Sequence, residues 1–139
     1  YQVLEKYPET SYKSLGIPTW LYGHELSTPF ATHIAKFFEN SLREEGLLAI
    51  AKGGIIFSPG SAGTMQEIFM DLAQNHYESC GFASPMIFLC ERYWTEEYPV
   101  YPLIRSFIDE GKLNKIDLSI YDKNEDVIRH LENSLPTEI

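Results

Sequence analysis

Short apolar runs alternate along this chain with longer stretches in which apolar residues recur at helical spacing. The runs cover residues 19–22, 55–58, 86–90 and 118–121. A continuous apolar run of this length is typical of a parallel strand that is covered on both faces. The longer stretches predict helices over residues 28–42, 63–78, 102–110 and 122–135. The resulting order, β-α-β-α-β-α-β-α, predicts an α/β fold in which right-handed crossovers join parallel strands.

Three segments carry more specific expectations. Thr28 is a candidate N-cap for the first long helix, and Gly46 is expected to end that helix before a short one over residues 47–51. In the helix over residues 63–78, the expected buried stripe is Met65, Ile68, Phe69, Leu72, Ala73 and His76, and the expected polar side is Gln66, Asp71, Gln74 and Asn75. Residues 1–18 are polar and show no period, so we expect a surface loop or mobile arm before one domain over residues 19–139.

Composition and charge narrow the classes of function. The chain has 139 residues, of which 44% are hydrophobic and 14% aromatic, and this is enough for one good core. Its 11 basic and 20 acidic residues give a net charge of −9 without a basic cluster, which disfavours nucleic acid as a partner. No run approaches the roughly 18 apolar residues of a membrane span, so we expect no membrane segment.

The cysteine and histidine residues do not have the spacing of a disulfide framework or of a metal site. Cys80 and Cys90 lack a CxxC arrangement, so we expect reduced thiols in a cytoplasmic protein. His33, His76 and His130 lack metal-ligand spacing. We therefore expect neither a metal site nor a cofactor.

The most informative segment is the loop between the run over residues 55–58 and the helix that follows it. A strand, a Pro/Gly/Ser loop and a helix in this order form an anion site from backbone N–H groups, and a phosphate is the expected anion. Gly60 and Gly63 can adopt positive φ and let a ligand approach the main chain, while Ser61 and Thr64 add hydroxyl donors.

Glu67 allows two interpretations. Thr64 and Glu67 match a capping box, in which the Thr side chain binds the N3 amide and the Glu reaches back to the N-cap amide. In the alternative interpretation, Glu67 takes part in the chemistry of a bound ligand. A phosphate about 6–7 Å away would repel the carboxylate by roughly 2–3 kcal/mol at an effective dielectric near 20, so Glu67 would act on the sugar beside the phosphate. There it can accept hydrogen bonds from hydroxyl groups, stabilise positive charge or orient a water.

Residues 59–67, Pro-Gly-Ser-Ala-Gly-Thr-Met-Gln-Glu, resemble the PGGxGTxxE signature of the LOG (LONELY GUY) family. Members are often labelled "possible lysine decarboxylase" but are nucleoside 5′-monophosphate phosphoribohydrolases. Arg43 lies upstream as in the family, and residues 84–89, Tyr93-Trp94 and Asp109-Glu110-Gly111 follow in the family's order. The resemblance covers roughly residues 20–130. Within the family, residues 22–25 and 51–54 look closer to the larger bacterial nucleotide 5′-monophosphate nucleosidases than to the short cytokinin-activating enzymes.

The resemblance implies a Rossmann-like fold, a catalytic pair and a phosphate site. Arg43 and Glu67 correspond to the catalytic pair, and the 5′-phosphate is held by Gly60, Ser61, Ala62, Gly63 and Thr64. It also implies a homodimer and a nucleoside 5′-monophosphate as ligand. Ser61 replaces the second Gly of the common pattern. The chain starts at Tyr1 without Met and lacks the family's Gly-rich first βαβ unit, so we expect residues 1–18 to be an arm or a remnant of that unit, and the chain to be an incomplete catalyst.

Further candidates come from the carboxyl ends of the other strands, where ligands bind in open parallel sheets. His24 and Glu25 follow the first predicted strand, and Tyr93 and Trp94 follow the third. His24 can assist departure of a base or be structural. The two aromatic residues can stack on a base or gate a pocket, or can serve packing or a dimer contact. Arg43 has a non-catalytic alternative as a solvated helix arginine beside Glu44 and Glu45.

The leading prediction is hydrolysis of the N-glycosidic bond of nucleoside 5′-monophosphates to free base and ribose 5-phosphate. The alternative is a non-catalytic nucleotide-binding or regulatory module with a Rossmann-like fold, and a third is a structural fragment whose loop is simply a turn and a cap. Lysine decarboxylation is rejected, because it would require pyridoxal phosphate on a lysine such as Lys52 within a far larger domain.

Overall fold

The computed structural model of the chain describes residues 2–6, 12–20 and 26–134. The chain divides into two compact units, Tyr1–Gly46 and Leu47–Ile139. The expected division into an arm and one domain stays a prediction. No helix within the described ranges is long and apolar enough to cross a membrane.

The first unit contains a short helix and a small parallel sheet. Helix α1 spans Gln2–Lys6, strand β1 spans Leu15–Gly16 and strand β2 spans His33–Ile34. The two strands pair in parallel, and an isolated bridge between Thr19 and Phe37 continues the pairing. Residues 1–18, for which a surface loop or mobile arm is expected, therefore contain α1 and β1.

The helix predicted over residues 28–42 begins later than expected. Helix α2 spans Asn40–Ile50, and β2 occupies the segment in which the predicted helix should have started. The backbone N–H groups of Thr32 and His33 donate to the carbonyl oxygen of Ser14 at 3.1 and 2.9 Å. These groups are the donors that a helix would have used. Pairing with a distant segment thus overrides the local helical period.

Two other local expectations concern the ends of elements. Gly46 lies inside α2 and does not end it, so the predicted second helix over residues 47–51 is instead the end of α2. A glycine in an exposed helix costs roughly 0.5–1 kcal/mol, which the rest of the helix offsets. The first predicted strand, over residues 19–22, is represented only by the bridge at Thr19, and residues 21–22 lie outside the described residues.

The second unit is a three-stranded parallel sheet with flanking helices. Its elements in chain order are β3 (Ile55–Phe57), α3 (Ala62–Tyr77), β4 (Met86–Leu89), a π-helical turn (Tyr93–Glu97), α4 (Val100–Asp109), β5 (Leu118–Tyr121) and α5 (Asn124–Ser134). The sheet order is β3-β4-β5, and Ile56 lies opposite Ile87 while Ile87 lies opposite Ser119. The predicted α/β fold with a Rossmann-like parallel sheet is confirmed.

Helices α3 and α4 cover the same face of this sheet. Alternate strand residues on that face form one buried cluster with both helices and with Trp94, and its buried members are Phe57, Ile68, Leu72, Met86, Phe88, Trp94, Val100, Ile104 and Leu118. Helix α5 packs against β4 and β5, and its Val127 is buried. Because the three strands are parallel, their carboxyl ends lie at one edge, where Ser58, Cys90 and Asp122 follow them.

The buried stripe of α3 differs from the predicted one. Its buried residues are Ile68, Asp71, Leu72 and Asn75, whereas Phe69 is 41% exposed. Asp71 and Asn75 were predicted on the polar side. Asn75 Nδ2 donates to Asp71 Oδ1 at 3.2 Å, and Asn75 Oδ1 accepts the backbone N–H of Ser84 at 2.7 Å. These hydrogen bonds allow two polar residues to occupy a buried stripe that hydrophobicity alone does not reveal.

Candidate functional site

The loop between β3 and α3 leads directly into the amino-terminal end of a long helix. Ser61 is the N-cap of α3, and it makes no side-chain capping hydrogen bond within the described residues. The first intrahelical bond runs from the N–H of Met65 to the carbonyl oxygen of Ser61 at 3.0 Å. The N–H groups of Ala62, Gly63 and Thr64 therefore precede the intrahelical ladder and point toward the helix end. This end carries the partial positive charge of the helix dipole, which suits an anion.

Gly60 is required by close packing rather than by an unusual backbone angle. Neither Gly60 nor Gly63 lies in the left-handed region, so the expectation of positive φ at these positions is wrong. Gly63 is helical. A Cβ atom on Gly60 would lie 2.0 Å from Thr64 Oγ1 and 2.9 Å from Thr64 Cβ. The first turn of α3 thus folds back onto the loop, and only glycine leaves room for it.

The predicted capping box is wrong, because α3 begins earlier than expected. Ser61 occupies the N-cap, so Thr64 is already inside the first turn and Glu67 lies in the second turn. Glu67 cannot then be the N3 residue of the box. The chemical interpretation of this carboxylate stays a prediction.

Glu67 lines a cleft of about 390 Å³ beside β3. The polar side chains at this cleft are those of Ser58, Thr64 and Glu67. The other lining residues are mainly apolar and come from the end of α2, the turn after it and β3, namely Leu47, Leu48, Ala51, Gly54, Ile55, Ile56 and Phe57. The cleft thus combines an apolar wall with a carboxylate and two hydroxyl groups next to the first turn of α3. Such a combination is typical of small-molecule sites.

Tyr93 and Trp94 have different environments. The Tyr93 hydroxyl donates a hydrogen bond to the carbonyl oxygen of Gly60 at 2.5 Å, so this residue contacts the loop. Trp94 is fully buried, and its Nε1–H donates to the carbonyl oxygen of Leu89 at 2.9 Å. Its ring packs edge-on against Phe88 at a centroid distance of 5.2 Å. Trp94 therefore fits the packing alternative rather than a surface on which a base could stack.

Arg43 belongs to the first unit. Its Nη1 donates to the carbonyl oxygen of Ile17 at 3.1 Å, and its Nη2 lies 3.7 Å from Glu44 Oε1. The side chain of Arg43 is 17% exposed and that of Glu44 is 3% exposed. The alternative of a solvated surface arginine is therefore wrong, because the guanidinium is held in a largely buried setting.

The structure brings together only part of the predicted site. Within the second unit, the loop over residues 60–64 lies beside Glu67 and Tyr93, whereas Arg43 is in the first unit. His24 and Glu25 lie outside the described residues. Within residues 2–6, 12–20 and 26–134, no three His, Cys, Asp or Glu residues are grouped so that they could hold a metal ion.

Two features near the strand ends were not predicted. Cys90, directly after β4, has φ of 83°, a left-handed conformation that is uncommon for a residue with a side chain. Its N–H donates to the carbonyl oxygen of Tyr121 at 2.9 Å, which fixes the turn at this edge. The contact of Tyr93 with Gly60 joins residues far apart in sequence, and only the order of the strands could have suggested it.

Comparison with known proteins adds no family assignment to this geometry. No protein-family model matches the chain, and no curated protein matches it either. The resemblance of residues 59–67 to the LOG signature therefore stays a prediction, and it enters the function only as part of a proposal.

Proposed function

We propose that this protein hydrolyses the N-glycosidic bond of nucleoside 5′-monophosphates and releases the free base and ribose 5-phosphate. The observation that carries the proposal is the position of Glu67, which lines the same cleft as Ser58 and Thr64 beside the first turn of α3. A phosphate bound by the helix N–H groups places its attached sugar next to this carboxylate. The resemblance of residues 59–67 to the LOG signature supports the same reaction.

The phosphate is recognised by local groups, since the chain as a whole repels anions. The net charge of −9 gives no long-range attraction for a nucleotide. The N–H groups at the start of α3 and the hydroxyl groups of Ser61 and Thr64 supply the donors. Gly60 contributes by leaving room for Thr64 to pack onto the loop, so that the Thr64 side chain lies beside it.

Glu67 acts on the sugar. The bond between C1′ and the base nitrogen breaks, its electron pair leaves with the base, and positive charge develops on C1′ and the ring oxygen. Water adds a hydroxyl group to C1′, and the base takes up a proton. Glu67 stabilises the positive charge and accepts hydrogen bonds from the ribose hydroxyls. The apolar wall of the cleft provides a dry surface for the base.

Arg43 is the second catalytic residue of the proposal, as the LOG resemblance implies. Its charge would stabilise the phosphate or the departing base. An arginine offers a planar fork of donors that lysine lacks. Arg43→Lys should therefore keep the charge and still lower turnover by roughly tenfold or more.

A panel of nucleotides tests the proposal. The protein is incubated with AMP, GMP, CMP, UMP and a cytokinin riboside monophosphate, and chromatography measures free base and ribose 5-phosphate. The proposal predicts both products in equal amounts from at least one of the five. Thermal stabilisation by nucleotides without any product would instead support the non-catalytic binding module.

Two further expectations belong to this proposal. The LOG resemblance implies a homodimer, and the spacing of Cys80 and Cys90 favours reduced thiols and hence a cytoplasmic location. Sedimentation velocity of the purified protein measures the first, and a mass near twice the 16.0 kDa of the chain would support it.

A further inference from the structure

We infer that Tyr93 is a positioning residue that orients the backbone of the phosphate loop through its hydroxyl group. The inference rests on the proposed function insofar as the loop binds a phosphate. In the protein without ligand, the side chain of Tyr93, in the turn after β4, sets the direction of the peptide group between Gly60 and Ser61, in the loop after β3.

The ring of Tyr93 is held in place by its neighbours. It packs edge-on against Trp94, with ring centroids 4.9 Å apart and an interplanar angle of 87°. Trp94 itself is fully buried and hydrogen-bonded to Leu89. On another side, the ring of Tyr98 lies 5.0 Å from that of Tyr93. A π-helical turn over Tyr93–Glu97 presents these rings, and such turns often occur at functional sites.

The hydroxyl group of Tyr93 fixes one carbonyl group of the loop. It donates to the carbonyl oxygen of Gly60 at 2.5 Å. The next peptide bond is trans and planar, so the C=O of Gly60 and the N–H of Ser61 point in opposite directions. By holding the carbonyl toward the aromatic rings, Tyr93 turns the N–H of Ser61 away from them.

Thr64 occupies the space that a side chain on Gly60 would need. The hydroxyl oxygen of Thr64 would lie 2.0 Å from a Cβ atom on Gly60, so the loop has little space to rotate in that direction. Gly60 is flexible by itself, because it lacks a side chain. The contacts with Tyr93 and Thr64 therefore restrict the backbone conformations of Gly60. A loop that is ordered before the ligand arrives binds that ligand more tightly.

Tyr93→Phe tests the inference, with Tyr98→Phe as a matched control. Both variants lose one hydroxyl group from the same pair of rings, but the Tyr98 hydroxyl makes no hydrogen bond within the described residues, and Tyr98 is 53% exposed. Calorimetry measures the dissociation constants of AMP and of ribose 5-phosphate. We expect Tyr93→Phe to weaken both by roughly three- to tenfold, the value of one hydrogen bond, and Tyr98→Phe to change neither.

Nuclear magnetic resonance supplies a readout that needs no ligand. Backbone ¹⁵N relaxation of Ser61, Ala62 and Gly63 is compared among the wild type and both variants, and we expect faster internal motion only in Tyr93→Phe. Unchanged relaxation in Tyr93→Phe, or an equal change in Tyr98→Phe, would overturn the inference. If the wild type binds none of the five nucleotides of the panel and no ribose 5-phosphate, the proposed function fails, and the relaxation data still decide whether Tyr93 orders the loop.

Discussion

Asp71 carries a carboxyl group in a position where a charge is costly. It is 1% exposed, and its Oδ2 has no hydrogen-bond partner among the described residues. Burial raises the pKa of Asp71 from 3.8 to about 7, and the hydrogen bond from Asn75 offsets part of this effect. The folded protein therefore keeps a proton on Asp71 at pH values at which the unfolded chain has already lost it.

This difference predicts the sign of a pH effect on stability. Between about pH 4 and pH 7 the folded state binds more protons than the unfolded state, so the contribution of Asp71 falls as the pH rises and then levels off. Asp71→Asn removes the titration with little change of shape. We expect the variant to match the wild type near pH 4 and to be more stable at pH 8, by on the order of 2–4 kcal/mol.

Urea unfolding at pH 4, 6 and 8 measures this prediction. Asp109→Asn is the control, because Asp109 is an exposed helix residue whose side chain is 63% exposed. The control should follow the wild type at each pH. A stability difference between Asp71→Asn and the wild type that does not change with pH would contradict the raised pKa.

Substitution of glycine by alanine should change the stability of the protein in opposite directions at Gly60 and at Gly46. A Cβ on Gly60 would collide with Thr64, whereas a Cβ on Gly46 would meet nothing within 4 Å among the described residues. Gly60→Ala should destabilise the protein by roughly 1–3 kcal/mol. Gly46→Ala, inside α2, should stabilise it by about 0.5–1 kcal/mol. Urea unfolding of both variants measures the difference, and an unchanged or increased stability of Gly60→Ala would contradict the packing of Thr64 onto Gly60.

At the scale of residues, the sequence identifies a candidate loop and carboxylate but not the environment of individual side chains. The loop residues and Glu67 could be selected because strand, glycine-rich loop and helix follow each other within a short segment. Asp71 could not, because a carboxylate in a helix is usually exposed, and the hydrogen bond that Asp71 accepts from Asn75 forms only after folding. Tyr93 could be identified only as a pocket candidate, since its hydrogen bond to Gly60 joins segments that follow two different strands.

At the scale of elements, His130 connects α5 with both ends of β5. Its Nε2 lies 3.1 Å from Asp117 Oδ2, before the strand, and its Nδ1 lies 3.0 Å from the hydroxyl of Tyr121, at the end of the strand. One imidazole ring thus contacts the side chains of the residue before the strand and of its last residue. Such a bridge fixes the register of the last helix against the sheet.

Removing this bridge should loosen α5. His130→Leu replaces the imidazole ring with an apolar side chain of similar size and removes both hydrogen bonds. We therefore expect the free energy of unfolding to fall by about 1–2 kcal/mol. Tyr121→Phe loses one of the two bonds and should have about half the effect. Amide hydrogen exchange measures the opening of α5 directly. Equal protection of α5 in His130→Leu and in the wild type would contradict the role of the bridge.

The elements of the second unit were predictable, and those of the first were not. Short apolar runs identified β3, β4 and β5, although of these strands only β4 is buried on both faces and Ile56 of β3 is 47% exposed. In the first unit, residues 33–34 pair with residues 15–16, and no local period shows a contact of this kind. The helical spacing of residues 28–42 was therefore misleading for its amino-terminal part.

At the scale of the whole molecule, the account depends on Glu67 acting in catalysis. The parallel sheet places the start of α3 at the edge where ligands bind, and the cleft beside β3 adds a carboxylate to that position. These features support nucleotide binding and hydrolysis together. An enzyme and a binding module would both bind a nucleotide, and only the enzyme would hydrolyse it. The decisive variant must therefore remove the charge of the Glu67 carboxylate and leave nucleotide binding intact.

Glu67→Gln is that variant, and Glu125→Gln, on the exposed first turn of α5, is its control. The measurement is the turnover of the nucleotide that the wild type hydrolyses best, together with the dissociation constant of that nucleotide. The account predicts that Glu67→Gln lowers kcat by roughly 100-fold or more with affinity nearly unchanged, and that Glu125→Gln changes neither. Turnover by Glu67→Gln at the wild-type rate would contradict the account.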